Sequence, residues 1–181
     1  MLPVEKIGKI LDCGSTVEKI KILEILVNTK DPRIIEKIIA KLSDPEIEVR
    51  GEAFSSLVLN KNRIMKFLTD GLFSDDKNIR AFSALILANR GDSKSIPSII
   101  PLTADQSSLV RSCALGALGH LKAHQAKKSI QTCLTDENLE VRKSAVKALM
   151  NIGDKIPSSK INEAYKDADP ELKKLLEKIT R

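Results

Sequence analysis

Val110-Arg111-Ser112-Cys113-Ala114-Leu115-Gly116-Ala117-Leu118-Gly119 begins with an aliphatic residue followed by Arg, and the same pair returns at Val49-Arg50, Ile79-Arg80 and Val141-Arg142. The four arginines are spaced by 30, 31 and 31 residues. A feature that recurs every ~20–50 residues marks units that cannot bury their own apolar face and must stack on neighbours to make a core. The period therefore decides the fold class before any single segment is assigned.

Aligning the chain on this pair brings out the rest of the unit. Asp44, Asp105 and Asp136 stand six residues before Arg50, Arg111 and Arg142, with Ser74 and Asp75 covering the site before Arg80. A small residue follows each Arg by three (Ala53, Ser83, Ala114, Ala145) and a Leu by seven (Leu57, Leu87, Leu118, Leu149). An aliphatic, a small residue and a Leu at i, i+4 and i+8 form one stripe on a helix. The Asp then sits at the N-cap or in the first turn of that helix. Shorter apolar-periodic segments precede each one, such as Ile34, Ile35, Ile38, Ile39 and Leu42, or Ile64, Phe67, Leu68 and Leu72. They read as first helices of helical hairpins. Asp31-Pro32, Asn60-Lys61-Asn62, Gly91-Asp92 and Gly153-Asp154 supply the breaks, the glycines at C′ positions. Pro101 falls inside the first helix of the fourth unit, where a kink or early stop is expected. The ends follow the register loosely: Lys19, Ile22 and Leu26 at one, and Asp167, Leu172-Lys173 and Leu176 at the other, as degenerate capping units would. The whole chain reads as one domain with units at about 1–30, 31–60, 61–91, 92–122, 123–154 and 155–181.

Composition agrees with thin layers of helices. Among 181 residues there are four Phe, one Tyr and no Trp, so the interior must be built from Ile, Leu, Val and Ala, and a large cofactor site is not expected. The net charge of +6 is uneven: residues 1–60 carry nine basic and ten acidic groups, residues 61–121 eight and five, and residues 122–181 thirteen and nine. Cys13, Cys113 and Cys133 are odd in number and lack metal or redox spacing, which points to free thiols in a reducing compartment. No stretch approaches the ~18 apolar residues of a membrane span. A soluble, cytoplasmic protein is expected.

The stretch at Val110–Gly119 resembles the HEAT-like repeats of the type first described in phycobilin lyases, as do Ala84-Leu85-Ile86-Leu87-Ala88-Asn89-Arg90-Gly91-Asp92 and Ala148-Leu149-Met150-Asn151-Ile152-Gly153-Asp154. The likeness covers about residues 31–154 well and both ends weakly. It implies an all-α fold, a right-handed α-solenoid of about six HEAT-like helical hairpins, roughly twelve helices in all. It leaves function open, because this family holds scaffolds, pigment lyases, a metal-dependent hydroxylase and nucleic-acid enzymes. The resemblance also implies a structural use for the recurring charges: Asp44, Arg50, Arg80, Asp105, Arg111, Asp136 and Arg142 would form a ladder of charge-assisted hydrogen bonds between successive units.

Catalytic signals are absent from the pattern. His120 and His124 have the i, i+4 spacing of a helical metal pair, but Leu121-Lys122-Ala123 is where one helix must hand over to the next, and no ligand pattern lies beside them. The hydroxylases of the family carry several His-Glu dipeptides for two irons, and this chain has none. No Trp is present for the aromatic cleft that the related DNA glycosylases use, and nothing distinctive suits a tetrapyrrole. No Ser/His/Asp set, Gly-rich phosphate loop or carboxylate pair stands out. An enzyme, a metal site, a cofactor and a small-molecule substrate are all not expected.

The informative positions are those one and five after each Arg, which share one helix face away from the buried stripe and, by the resemblance, face the concave side. They read Gly51 and Ser55 (with Glu48 and Glu52 nearby), Ala81 and Leu85 (beside Phe82), Ser112 and Gly116, Lys143 and Lys147, then Lys174 and Lys178, with Arg181 a turn further. The face thus runs from acidic through apolar to basic. Phe82 and Leu85 either fill a gap left by small neighbours or anchor a bound segment, and the lysines either form a solvated face or engage acidic groups. The expected function is a non-catalytic scaffold that binds a protein or peptide on this face, with Phe82, Leu85, Lys143, Lys147, Lys174 and Lys178 as contacts. The alternative is a nucleic-acid-binding module using the basic carboxyl-terminal part.

Overall fold

The computed structural model describes residues 2–156 and 158–180; Arg181 lies outside the described residues. These residues form twelve α-helices with no strand among them. Contacts gather them into two compact units, Met1–Arg90 and Gly91–Arg181, where the sequence reading has a single domain. Each unit holds three helical hairpins. The first contains α1 (Val4–Cys13), α2 (Thr16–Ile25), α3 (Pro32–Ala40), α4 (Ile47–Leu59), α5 (Met65–Gly71) and α6 (Lys77–Asn89). The second contains α7 (Ile96–Ile99), α8 (Ser108–His120), α9 (Lys127–Thr132), α10 (Leu139–Ile152), α11 (Ser158–Tyr165) and α12 (Pro170–Thr180).

Within the first unit the hairpins stack in two layers, α1, α3 and α5 behind and α2, α4 and α6 in front. In the second unit α8, α10 and α12 make the front layer. The periodic stripe supplies the core, with Val49, Ala53 and Leu57, then Val110, Ala114 and Leu118, and Val141, Ala145 and Leu149 all buried. Gly119 shows how close the front helices come: a Cβ there would lie 2.9 Å from the Ala148 backbone. Several first helices are short and finish in 3-10 turns, at Lys41–Ser43, Ile100–Ala104 and Cys133–Thr135. Pro101 explains the shortest, because it has no N–H for the α pattern, so the α run stops at Ile99 and continues as 3-10.

The corner between the two helices of a hairpin corrects one expectation. Asp44, Asp105 and Asp136 are not N-caps but stand two residues before them, and their carboxylates accept the N–H of Glu46, Ser107 and Asn138 at 3.2, 2.8 and 2.9 Å. Ser74 does the same for Asp76 at 3.2 Å. The N-caps are Glu46, Asp76, Ser107 and Asn138, of which Asp76 and Asn138 cap with their side chains.

Exits from the second helices follow the expected punctuation. Gly91 and Gly153 both have φ +70, and between them in the same register Lys122 has φ 50. Ala123 N–H bonds Leu118 C=O and Asp154 N–H bonds Leu149 C=O, both at 3.0 Å, so α8 and α10 end in the same left-handed cap. A side chain in that conformation is strained and glycine is not. Lys122→Gly should therefore raise stability by about 0.5–1 kcal/mol, read as a higher urea midpoint, and Gly153→Lys should lower it by a similar amount.

Candidate functional site

Each Arg of the repeat is fixed by the corner it follows. The Arg50 guanidinium donates to the carbonyls of Asp44 and Pro45 at 2.8 and 2.9 Å, and Arg80 to those of Ser74 and Asp75 at the same distances. Arg111 donates to Asp105 and Gln106 at 2.9 and 3.2 Å, and Arg142 to Asp136 and Glu137 at 2.8 and 3.3 Å. The repeating contact is thus a clamp within a hairpin. Pairing between hairpins is laid over it unevenly. Arg111 makes a bidentate bond to Asp136, both contacts at 2.8 Å, and this partner raises its pKa. Lys19 takes the Arg position of the first hairpin and bonds Asp44 at 2.9 Å. Burial pushes the Asp44 carboxyl up, but the bonds from Lys19 and the Glu46 N–H bring it below the usual range. Arg142 donates to the Asp167 carbonyl of the next hairpin at 3.5 Å and, after Lys143, lowers the Asp169 pKa by its charge, and Arg50 has no carboxylate partner among the described residues. These arginines are held by the fold and do not form an open row.

The exposed face of the second helices differs from one hairpin to the next. Gly51 and Ser55 are exposed on α4, and there is open space where a Gly51 Cβ would stand. Glu52 is pushed up by burial and then by Glu24, which places two carboxylates near each other on the acidic part of the face. On α6, Ala81 is fully buried, whereas Phe82 and Leu85 are half-buried. The Phe82 ring meets the Phe54 ring edge to face, centroids 6.4 Å apart and planes at 82°. Phe82 therefore packs between α4 and α6 and also remains partly open. Phe54 was not singled out from the sequence, although it stands four after Arg50 on the side of α4 that faces α6.

In the second unit the basic cluster separates into two kinds of lysine. Lys143 is 5 % exposed, and its ammonium bonds Asp169 at 2.8 Å, Glu171 at 2.8 Å and Glu140 at 2.9 Å. Its pKa is raised by Asp169 first, then Glu171 and Glu140. The expectation of an open Lys143 fails because α12 begins with carboxylates at the point where α10 presents this lysine. Lys147 is exposed and shares Glu171 at 3.1 Å. Lys174 and Lys178 are exposed and enter no ion pair among the described residues. The signal that could have found this is the acidic start of α12, Asp169-Pro170-Glu171.

Other candidate chemistry finds little support in the geometry. His120 closes α8 and His124 opens the 3-10 turn beyond Lys122, so the two do not share a helix face. No group of three or more His, Cys, Asp or Glu could hold a metal ion among the described residues. All three cysteines are free thiols. Burial pushes the Cys113 and Cys133 thiols up to about 11, which leaves almost no thiolate near neutral pH. An open groove of about 530 Å³ at the start of α1 and the end of α2 carries no titratable side chain. No described helix is long and apolar enough to cross a membrane.

Comparison with known proteins agrees with this architecture. The family profile for HEAT repeats matches residues 65–149, and that for the PBS lyase HEAT-like repeat matches residues 141–178. No curated protein matches the chain. Among solved structures, two crystal structures of engineered proteins are similar. One is 23% identical with a TM-score of 0.52, covering 99% of this chain and 97% of that one. The other is 19% identical with a TM-score of 0.53, covering 99% of each. Human deoxyhypusine hydroxylase in complex with glycerol is 17% identical with a TM-score of 0.53, covering 99% of this chain and 84% of that one. At these identities the likeness is one of fold, the α-solenoid class.

Asp169 and Glu171 make the Lys143 network sensitive to acid. Both carboxyls lie below their usual values, mainly through the bond from Lys143. Their contribution to stability is present above about pH 4 and is lost as pH falls through the lower folded-state values. Lys143→Met should be less stable than the wild type at neutral pH, with thermal melts of the two converging as pH falls towards about 3.

Proposed function

The chain belongs to the HEAT-like repeat family, and we propose that it is a non-catalytic interaction scaffold that binds a protein or peptide on the exposed face of its second helices. The observation that carries this reading is that stacked positions of those helices repeat while exposed ones do not. The stripe keeps an aliphatic, a small residue and a Leu in every full copy, all buried except the half-buried Ile79. The outer positions change from the exposed Gly51 and Ser55 to the half-buried Leu85, then to the exposed Lys147, Lys174 and Lys178. Side chains that packing does not dictate are the ones free to suit a partner.

In the first unit, Phe82 and Leu85 offer an apolar contact whose ring is already held by Phe54, so little side-chain freedom is lost on binding. In the second unit, Lys174 and Lys178 offer charges to acidic groups of a partner, beside a Lys147 that shares Glu171. Lys143 has a structural role instead, since its ammonium is already shared by three carboxylates. The same network weakens the alternative of a nucleic-acid module. Phosphate binding needs unpaired basic groups, and two of the four lysines on this face are engaged with Glu171. The scarcity of aromatic residues also leaves little for bases to stack on.

Affinity capture from the source lysate, with and without nuclease, separates these readings. Protein partners should survive nuclease treatment. Phe82→Ser combined with Leu85→Ser should weaken their capture at least about tenfold, the ~1.4 kcal/mol of a modest hot spot. Retained partners in a double variant whose circular dichroism is unchanged would remove the apolar anchor from the proposal. A salt-sensitive gel shift at low ionic strength would instead favour nucleic acid.

A further inference from the structure

In the first unit the position two after each Arg leans towards the preceding hairpin. Phe82 holds it on α6 and meets Phe54 of α4. Glu52 holds it on α4, where its pKa is raised by burial and then by Glu24 of α2. The position five after the Arg lies one turn further on the same side and is Glu24 on α2, Ser55 on α4 and Leu85 on α6. Across these three helices the outer face therefore passes from a pair of carboxylates to an aromatic and aliphatic pair. Between the two pairs α4 presents an exposed Ser55 and an exposed Gly51 with open space where a Cβ would stand, so a bound segment can lie close to the helix there.

The charge of this face is not balanced from within. Glu24 and Glu52 enter no ion pair among the described residues. The basic groups of the repeat are engaged elsewhere, Lys19 with Asp44 and Arg50 and Arg80 with corner carbonyls. Lys21 is exposed, but it stands two after Lys19 and so leans away from α4. Two like charges on a partly buried face repel each other, and a cation placed between them relieves that repulsion. Phosphate groups would meet charge of their own sign here.

We propose that this face of the first unit binds a basic, apolar peptide segment of a partner protein, with a Lys or Arg on Glu24 and Glu52 and a large aliphatic side chain on Phe82 and Leu85. The inference rests on the scaffold reading above and names the chemistry of the partner. Packed helix axes lie about 8–10 Å apart, so the cation and the aliphatic group of the segment are separated by about that distance.

Fluorescence anisotropy of the full chain with three labelled peptides tests this: one of Leu and Lys, one with every Lys replaced by Glu, and one with every Leu replaced by Ser. The Leu and Lys peptide should bind at least about tenfold more tightly than either of the others. Glu24→Lys with Glu52→Lys should reverse the preference between the Lys and Glu peptides at unchanged circular dichroism. Glu24→Gln with Glu52→Gln should weaken the Lys peptide in the same direction. Glu5→Lys with Glu36→Lys makes the same charge change at exposed positions of α1 and α3 in the back layer and should leave the preference as it is. No binding of the Leu and Lys peptide up to roughly 500 µM overturns the inference, as does a wild-type preference for the Glu peptide or an equal effect of the back-layer pair. Binding that is lost with Phe82→Ser and Leu85→Ser but indifferent to Glu24 and Glu52 also overturns it, while leaving the apolar anchor of the scaffold reading in place.

Discussion

Everything above the single hairpin depends on the corner where a first helix hands over to a second. The corner residues lie outside both helices, so their carbonyls and amides have no ladder to join and must be satisfied locally. One side chain closes each side of this account. The Asp or Ser six before the Arg accepts an amide of the corner, while the Arg guanidinium takes two of its carbonyls, in all four full copies. Arg suits this because its planar group donates in several directions while keeping its charge. With the corner closed, the Val-Ala-Leu stripe can only face inward, and the hairpins stack.

Contacts between hairpins are more varied. Asn60 and Asn62 donate to the Thr29 carbonyl at 3.0 and 3.2 Å, and Arg90 reaches back to the carbonyls of Leu57, Asn60 and Asn62 at the end of α4. In the second unit Arg111 with Asp136, and Lys143 with Asp169 and Glu171, take the same part with charge. Stability of such a stack is close to a sum over neighbours, so each junction can use its own chemistry as long as the corner geometry holds. This freedom is why a lysine that looks like a surface contact in one hairpin can be a tie between hairpins.

The same logic separates the face from the core. Positions facing a neighbouring hairpin are constrained by backbone approach, as Gly119 is by Ala148. Positions facing outward on the second helices are not, and they hold Phe82 and Leu85 in one unit and Lys147, Lys174 and Lys178 in the other. Charge near the carboxyl end is more balanced in space than along the chain, because Glu140, Asp169 and Glu171 lie among the lysines of α10 and α12.

The period, the buried stripe and the break at Pro101 were legible in the linear pattern, because helix periodicity and turn chemistry are local properties. So were the glycine exits at Gly91 and Gly153, though the left-handed Lys122 between them carries no such residue to announce it. The place of the Asp, two residues before the cap, needed the backbone path of the corner. The fate of Lys143, the Phe54 partner of Phe82 and the division into two compact units needed the neighbour in the stack. A sequence read one unit at a time reports which face of a helix a residue is on. Only the packed structure shows what stands opposite it, since that depends on distance in space between hairpins rather than on spacing along the chain.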